Sequence, residues 1–161
     1  MSETRTVLVT GASQGIGAAI ARRLAREGLR VALAARNGAA LEQVAEEIRA
    51  AGGEAHPLVM DVGQPASIKE GVAALVAQFG RVDVLVNNAG VTRDQLLLRM
   101  KAADWDLVVQ TNLTAAFHAC QAVLPGMIRQ RWGRIVNIAS VVGHSGNPGQ
   151  VNYVASKAGL V

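Results

Sequence analysis

The sequence contains few aromatic residues and one cysteine, and both shortages limit what the protein can be. Only 3% of its 161 residues are aromatic. Because nucleic-acid sites interleave aromatic with basic side chains, the net charge of +4 indicates a soluble basic surface and no nucleic-acid partner. The single cysteine, Cys120, excludes a disulfide framework and the ligand spacing of a metal site. Its apolar helical surroundings predict a thiol in the core.

Long apolar runs are also missing. No stretch approaches the length of a membrane span, and residues 1–6 contain no apolar signal region. We therefore predict a cytoplasmic protein without a membrane partner. Half of the residues are nonetheless hydrophobic, so the core is built from Ala, Val, Leu and Ile. The length suits a single domain over residues 1–161.

Strand and helix patterns alternate along the whole chain. Strands are predicted at residues 6–10, 30–35, 54–60, 82–86 and 134–139. Helices are predicted from the first glycine cluster to about residue 27, around residues 41–48, at 65–78, at 104–131 with a bend near Pro125, and around Tyr153. This alternation predicts an α/β fold, a doubly wound parallel sheet with helices on both faces.

A glycine cluster follows the first strand and opens the first helix. Glycines at this turn let backbone N–H groups approach a pyrophosphate at the positive end of the helix. The spacing, Gly-x-x-x-Gly-x-Gly, differs from the standard dinucleotide fingerprint, so a purely structural turn is the alternative. The predicted cofactor loop consists of Gly11, Ala12, Ser13, Gln14, Gly15, Ile16 and Gly17.

Two charged residues follow the next strands. Arg36 comes directly after the second strand, where an acid would select NAD and an arginine would pair with a 2′-phosphate. We therefore predict NADP(H), with an ordinary surface arginine as the alternative. Asp61, after the third strand, accepts a hydrogen bond from the adenine amino group or caps the helix that begins near Pro65.

Ser140, Tyr153 and Lys157 form the candidate catalytic group. Ser140 ends the fifth strand, and the i, i+4 spacing puts Tyr153 and Lys157 on one helix face. A free phenol has a pKa near ~10, and a neighbouring ammonium favours the phenolate that acid-base catalysis needs. The alternative is a packed tyrosine beside a solvated lysine.

Together these motifs resemble the short-chain dehydrogenase/reductase family. The resemblance rests on residues 10–17, residues 87–90, Asn112, Ser140, Tyr153 and Lys157, in that order along the chain. Residues 90–100 and 140–153 are similar to a subfamily, the bacterial-type reductases of 3-oxoacyl groups on acyl carrier protein in fatty acid biosynthesis. The similarity covers the whole sequence, although Gln14 stands where relatives often have an arginine that touches the 2′-phosphate.

The resemblance implies a sheet of Rossmann type with strand order 3-2-1-4-5. It also implies NADPH-dependent reduction of a 3-oxoacyl thioester to the 3-hydroxyacyl thioester. Tyr153 would donate the proton, Ser140 would orient the carbonyl, and both would bind the substrate. Lys157 would support the phenolate and bind the nicotinamide ribose, whereas Asn112 would hold a water that relays protons. The alternative for Asn112 is a polar residue bonded within its own helix. Further cofactor contacts, largely through backbone, are implied for Val62, Asn88, Ala89 and Gly90.

The resemblance also implies partners and a longer chain. Arg129, Arg131 and Arg134 form a candidate docking patch for the acidic acyl carrier protein, or merely stabilise a helix C-terminus. The longer form is expected to be a homotetramer. Because the family continues for roughly eighty residues, we expect a truncated chain whose exposed fifth strand favours aggregation. The alternative functions are an acetoacetyl-CoA or other ketone reductase, and a non-catalytic nucleotide-binding fragment.

Overall fold

The structure is a computed structural model that describes residues 4–161, so residues 1–3 of the segment searched for a signal region lie outside it. The predicted parallel sheet is confirmed, with strand order β3-β2-β1-β4-β5. The strands are β1 (Thr6–Thr10), β2 (Arg30–Ala35), β3 (Glu54–Val59), β4 (Val84–Asn87) and β5 (Arg134–Asn137). The helices are α1 (Gly15–Arg26), α2 (Gly38–Ala50), α3 (Pro65–Phe79), α4 (Ala102–Val109), α5 (Ala115–Arg129), α6 (Val142–Ser145) and α7 (Val151–Ala158).

The core has two halves, one on each face of the sheet. Strand β1 is buried over its full length, which explains its continuous apolar run. Val7 and Val9 face α1 and α2, whereas Leu8 faces α3 and α5, because successive side chains of a strand point to opposite faces. Cys120 is half-buried and packs against the half of the core that contains Leu8. The predicted core thiol therefore lies at the margin of the core.

The predicted long helix is confirmed over most of its length but contains one irregular turn. Residues 102–129 are helical throughout, and a π-helical turn at Gln110–Thr114 lies between α4 and α5. The loop after β5 contains the short helix α6, which was not predicted. Pro125 lies inside α5 and does not end it. The bounds of β1 and β2 are as predicted, and those of β3, β4 and β5 differ by one or two residues, which is the usual uncertainty of element ends.

Strand β5 is the sheet edge among the described residues. It pairs with β4 alone, and all four of its residues are exposed. On its inner side, Asn87 of β4 donates from Nδ2 to Asn137 Oδ1 at 2.9 Å, so two register partners are joined through their side chains. No helix among residues 4–161 has the length and apolar character needed to cross a membrane.

Candidate active site

The predicted site residues collect at one edge of the sheet. The cofactor loop follows β1, Asn88 follows β4, and Ser140 comes three residues after β5 ends. These strands are neighbours and run parallel, so the segments that follow them meet at their carboxyl ends. Open α/β sheets bind ligands at this edge.

The backbone of the cofactor loop needs its glycines. Gly11 and Gly15 have φ values of +66° and +56°, a region that side chains rarely adopt. The space around Gly17 is tighter, because an added Cβ would contact Gly11 O directly and lie 2.5 Å from Asn88 Nδ2. Helix α1 begins here without a side-chain cap, since Gln14 at its N-cap makes no capping bond. Its first N–H groups therefore suit an anion.

Asn88 forms hydrogen bonds to this loop that the sequence did not predict. Its Nδ2 donates to Thr10 O at 2.9 Å and to Gly11 O at 3.2 Å. The N–H groups of Asn88 and Ala89 both donate to Thr10 Oγ1, at 3.0 and 3.1 Å. These donors therefore tie β4 to the loop. Because these two N–H groups are already bonded, backbone contacts from Asn88 and Ala89 to a cofactor would use their carbonyl groups. Those contacts stay a prediction.

Arg36 and Asp61 line the same cleft. The cleft has a volume of about 560 Å³ and also includes Gly63 and Gln64. The capping interpretation of Asp61 is wrong, because the N-cap of α3 is Gln64. Asp61 Oδ1 instead accepts from Gly63 N at 2.9 Å and closes a local turn. Arg36 is exposed at the cleft, and its contact with a 2′-phosphate stays a prediction.

Asn112 lies in the π-helical turn and is 2% exposed. The alternative that it bonds within its own helix is wrong, because its side chain reaches Val91. Val91 N donates to Asn112 Oδ1 at 2.8 Å, and Asn112 Nδ2 donates to Val91 O at 3.0 Å. The same Nδ2 donates to Ser156 Oγ at 3.1 Å. Single π turns inside helices often occur at functional sites.

Tyr153 and Lys157 lie one turn apart on α7. Lys157 Nζ is 5.7 Å from the centre of the Tyr153 ring, and it donates to Ile138 O at 2.6 Å. The alternative of a solvated lysine is wrong, since Lys157 is only 5% exposed. Burial lowers the pKa of Lys157 from its usual value, because the charged ammonium loses hydration.

Ser140 is joined to α7 through a glycine that the sequence analysis did not single out. Ser140 O accepts from Gly143 N at 3.0 Å. A Cβ on Gly143 would lie 3.0 Å from Ala158 N and from Lys157 C, so α6 rests directly on the backbone of α7. Ser140 Oγ accepts from Val142 N at 3.4 Å. The cue available in the sequence was a glycine close to both Ser140 and Tyr153.

Two buried polar residues of α7 were also missed. Asn152 has no exposed surface and donates from Nδ2 to Arg93 O at 3.0 Å, which ties α7 to the segment after β4. Ser156, equally buried, donates from Oγ to Tyr153 O at 2.8 Å. Their sequence cue was a polar residue beside each catalytic candidate, which by itself does not distinguish a buried residue from an exposed one.

The parallel sheet and the glycine loop at the start of α1 define a class, the α/β folds of Rossmann type. A family model described as short chain dehydrogenase matches residues 5–161. The chain belongs to this family.

Curated relatives and a solved structure agree with that assignment. The 3-oxoacyl-[acyl-carrier-protein] reductase FabG of Staphylococcus epidermidis is 51% identical over 158 residues, which are 98% of this chain and 65% of the relative. The Escherichia coli K12 protein of the same name is 47% identical over 99% of this chain and 64% of its own length. The chain thus spans about two thirds of these relatives. A metagenomic short-chain oxidoreductase crystallised with NADP matches 97% of this chain and 71% of its own, with a TM-score of 0.94 and 44% identity.

Proposed function

We propose that the protein is an NADPH-dependent reductase of 3-oxoacyl thioesters carried by acyl carrier protein, acting in fatty acid biosynthesis in the cytoplasm. The proposal rests on one observation. Tyr153 and Lys157 share α7, and Ser156 of the same helix connects them to Asn112 by hydrogen bonds, at the sheet edge where the glycine loop lies. The names of the curated relatives support the substrate class, and the NADP-bound neighbour supports the cofactor.

The residues at the sheet edge fit a dinucleotide with a 2′-phosphate. The uncapped first turn of α1 offers N–H groups to the pyrophosphate, and an added Cβ at Gly15 would meet no atom within 4 Å, so this turn is open on its outer side. Arg36 has no carboxylate partner among the ion pairs of residues 4–161, so its guanidinium is available for a phosphate. An acid at this position would favour NAD instead.

The chemistry of the reaction divides among four side chains. NADPH supplies the hydride that reaches the 3-oxo carbon. Tyr153 gives its phenolic proton to the carbonyl oxygen, and Ser140 orients that oxygen by a hydrogen bond. Lys157 stabilises the phenolate that remains on Tyr153. Asn112 helps to hold the water through which a proton returns, using its main chain or the second lone pair of Oδ1, because both of its amide hydrogens are already bonded.

Turnover tests this proposal directly. Purified protein should oxidise NADPH in the presence of an acetoacetyl thioester of acyl carrier protein. Tyr153→Phe should lower kcat by about 10²–10⁴-fold, because general acid catalysis is lost, while the Kd for NADPH changes only a few-fold. A variant that keeps more than a tenth of the wild-type rate contradicts the role of Tyr153. Equal or faster turnover of the coenzyme A thioester would favour the alternative ketone reductase, and NADPH binding without turnover would favour the binding fragment.

The carrier-docking part of the proposal rests on Arg131 and its neighbours. Arg131 has φ +54° at the end of α5, where glycine is the usual residue. Backbone strain of this kind concentrates at functional sites. The guanidinium of Arg5 lies 4.1 Å from the Trp132 ring centre and that of Arg134 lies 5.0 Å from it. Arg129, Arg131 and Arg134 form no ion pair with a carboxylate among residues 4–161, which suits an acidic partner.

The patch lies far from the catalytic residues of its own chain. Asn112 precedes α5 and Arg131 follows it, so the length of this helix, on the order of 25 Å, separates them. Helix α5 also carries an exposed apolar stripe of Phe117, Leu124 and Ile128. This stripe supports the proposed homotetramer, because two-fold pairing of α5 with a copy would bury it. Antiparallel pairing would also bring Arg131 of one subunit beside the catalytic edge of the other.

A charge reversal tests the docking patch. Arg131→Glu should slow reduction of the carrier-linked substrate, while a small thioester analogue is reduced at the wild-type rate. Arg26→Glu, at another exposed arginine and at the end of α1, is the matched control and should change neither rate. An equal loss with both substrates would mean that Arg131 stabilises the protein and does not bind the carrier.

A further inference from the structure

Ser156 connects two helical segments by hydrogen bonds, and the proposed reaction assigns it no role of its own. It lies between Tyr153 and Lys157 in α7 and has no exposed surface. Its Oγ donates to Tyr153 O at 2.8 Å and accepts from Asn112 Nδ2 at 3.1 Å. One hydroxyl therefore joins the helix of Tyr153 and Lys157 to the π-helical turn that holds Asn112.

The direction of these two bonds determines how the Asn112 amide is oriented. A hydroxyl has a single hydrogen, and that of Ser156 is used on Tyr153 O. Ser156 can therefore only accept from Asn112, so the amide must turn its nitrogen toward α7. The backbone of Val91 favours the same orientation from both ends of the amide, because its N–H donates to Oδ1 at 2.8 Å and its carbonyl accepts from Nδ2 at 3.0 Å. Ser156 adds the third bond, from the side of α7.

The other end of the amide faces the catalytic lysine. A Cβ built on Gly90 would lie 3.3 Å from Asn112 Oδ1 and 3.8 Å from Lys157 Nζ, so the oxygen and the ammonium border the same small space. A flipped amide would turn N–H donors toward the ammonium and leave the Ser156 hydroxyl opposite an oxygen. Lys157 Nζ already donates to Ile138 O at 2.6 Å, and only the observed orientation adds the oxygen of Asn112 to the space beside it.

We propose that Ser156 is a positioning residue that holds the Asn112 carboxamide with its oxygen toward Lys157. The proposal rests on the proposed reductase function, in which Asn112 and Lys157 serve proton return. Ser156 then acts on kcat through Asn112 and contributes little to the binding of NADPH or thioester. A purely structural serine would instead affect stability alone and act independently of Asn112.

A double-mutant cycle with steady-state kinetics tests the first part. Ser156→Ala should lower kcat about tenfold or more, with the KM for thioester and the Kd for NADPH within about threefold of wild type. In an Asn112→Ala background, the same change should lower kcat less than twofold. Ser145→Ala is the matched control, because Ser145 is exposed and its Oγ also donates to a helical carbonyl, Val141 O at 3.3 Å. It should leave kcat unchanged.

Equal losses in the two backgrounds would overturn the proposal, as would an unchanged kcat in Ser156→Ala. If Ser156→Ala does not fold, Ser156→Cys replaces it, and the weaker hydrogen bonding of a thiol should give a smaller loss that again disappears with Asn112→Ala. Equal losses from Ser156→Cys in both backgrounds reject the proposal in the same way.

A second readout does not depend on turnover. The side-chain amide hydrogens of Asn112 should exchange with solvent at least tenfold faster in the Ser156 variant, followed by ¹⁵N-resolved NMR. Unchanged exchange would overturn the role of Ser156 even if kcat falls. If the wild-type protein does not reduce thioesters at all, the proposed function fails, and the exchange measurement still decides whether Ser156 orients Asn112.

Discussion

Replacing Gly17 by alanine tests the close contact between the cofactor loop and the segment after β4. In most helix interiors, Gly→Ala stabilises by about 1 kcal/mol, because glycine is the more flexible residue in the unfolded chain. Gly17 lies in the first turn of α1, but its added Cβ would overlap Gly11 O and lie 2.5 Å from Asn88 Nδ2. We therefore expect the opposite sign.

The expected loss follows from the atoms that must move. Overpacking a closely packed site costs about 1–3 kcal/mol. Displacing Asn88 also weakens its bonds to Thr10 O and Gly11 O, each worth about 0.5–1.5 kcal/mol. When the stabilisation expected of alanine in a helix is subtracted from these costs, Gly17→Ala should lower the free energy of unfolding by about 2 kcal/mol. For a chain of this size, that is a fall of about 4–8 °C in the melting temperature. NADPH binding should weaken as well, because the loop itself shifts.

Gly126→Ala is the matched control. Gly126 lies inside α5, and a Cβ there would meet no atom within 4 Å. This variant should be as stable as wild type or more stable, by up to about 1 kcal/mol. Urea denaturation at one protein concentration, with an NADPH titration beside it, measures both effects. If Gly17→Ala proves as stable as Gly126→Ala, the contact between Asn88 and the loop is not as close as described.

Three further predictions concern the cofactor and the catalytic lysine. Arg36→Asp should weaken NADPH binding by about 1.5–3 kcal/mol, through the lost contact to phosphate, and NADH binding little; equal losses in paired titrations would show that Arg36 does not read the phosphate. Gly90→Ala should lower kcat about tenfold at nearly unchanged NADPH affinity, because its Cβ enters the space between Asn112 and Lys157; an unchanged kcat would contradict this. Since burial lowers the pKa of Lys157 below 10.5, the unfolded chain binds that proton more tightly. The free energy of unfolding of wild type should therefore lie furthest below that of Lys157→Met at pH values below the lowered pKa. The difference should shrink as the pH rises toward 10.5, and a difference that does not depend on pH would refute this.

Much of the fold could be predicted from local patterns. The buried run of β1 and the glycines at 11, 15 and 17 depend on sequence-local causes, namely burial on both faces of a parallel strand and positive φ at a tight turn. Alternation of strands and helices was enough to predict the parallel sheet. Its strand order came from the family resemblance, because the same alternation also fits other doubly wound orders. The i, i+4 spacing placed Tyr153 and Lys157 on one face in the same way.

Two features departed from the predictions, one through a local bond and one through a distant partner. The capping interpretation of Asp61 failed because its carboxylate accepts from Gly63 N, two residues on, and leaves the N-cap to Gln64. The predicted helix over residues 104–131 contains a π-helical turn at Asn112, whose side chain bonds to Val91. Local propensity carries no information about a bond between residues so far apart in the chain.

The sequence by itself therefore determined the sheet, the nucleotide-binding turn and the identity of the catalytic candidates, since each follows from the order of residues within a few turns or strands. Only the tertiary structure decided which groups the side chains of Asn88, Asn112 and Ser156 bond to. Each of these is a small polar residue that a sequence can place on any surface. Their roles are determined by buried donors and acceptors that only folding brings within hydrogen-bond distance, where an unpaired group would be costly.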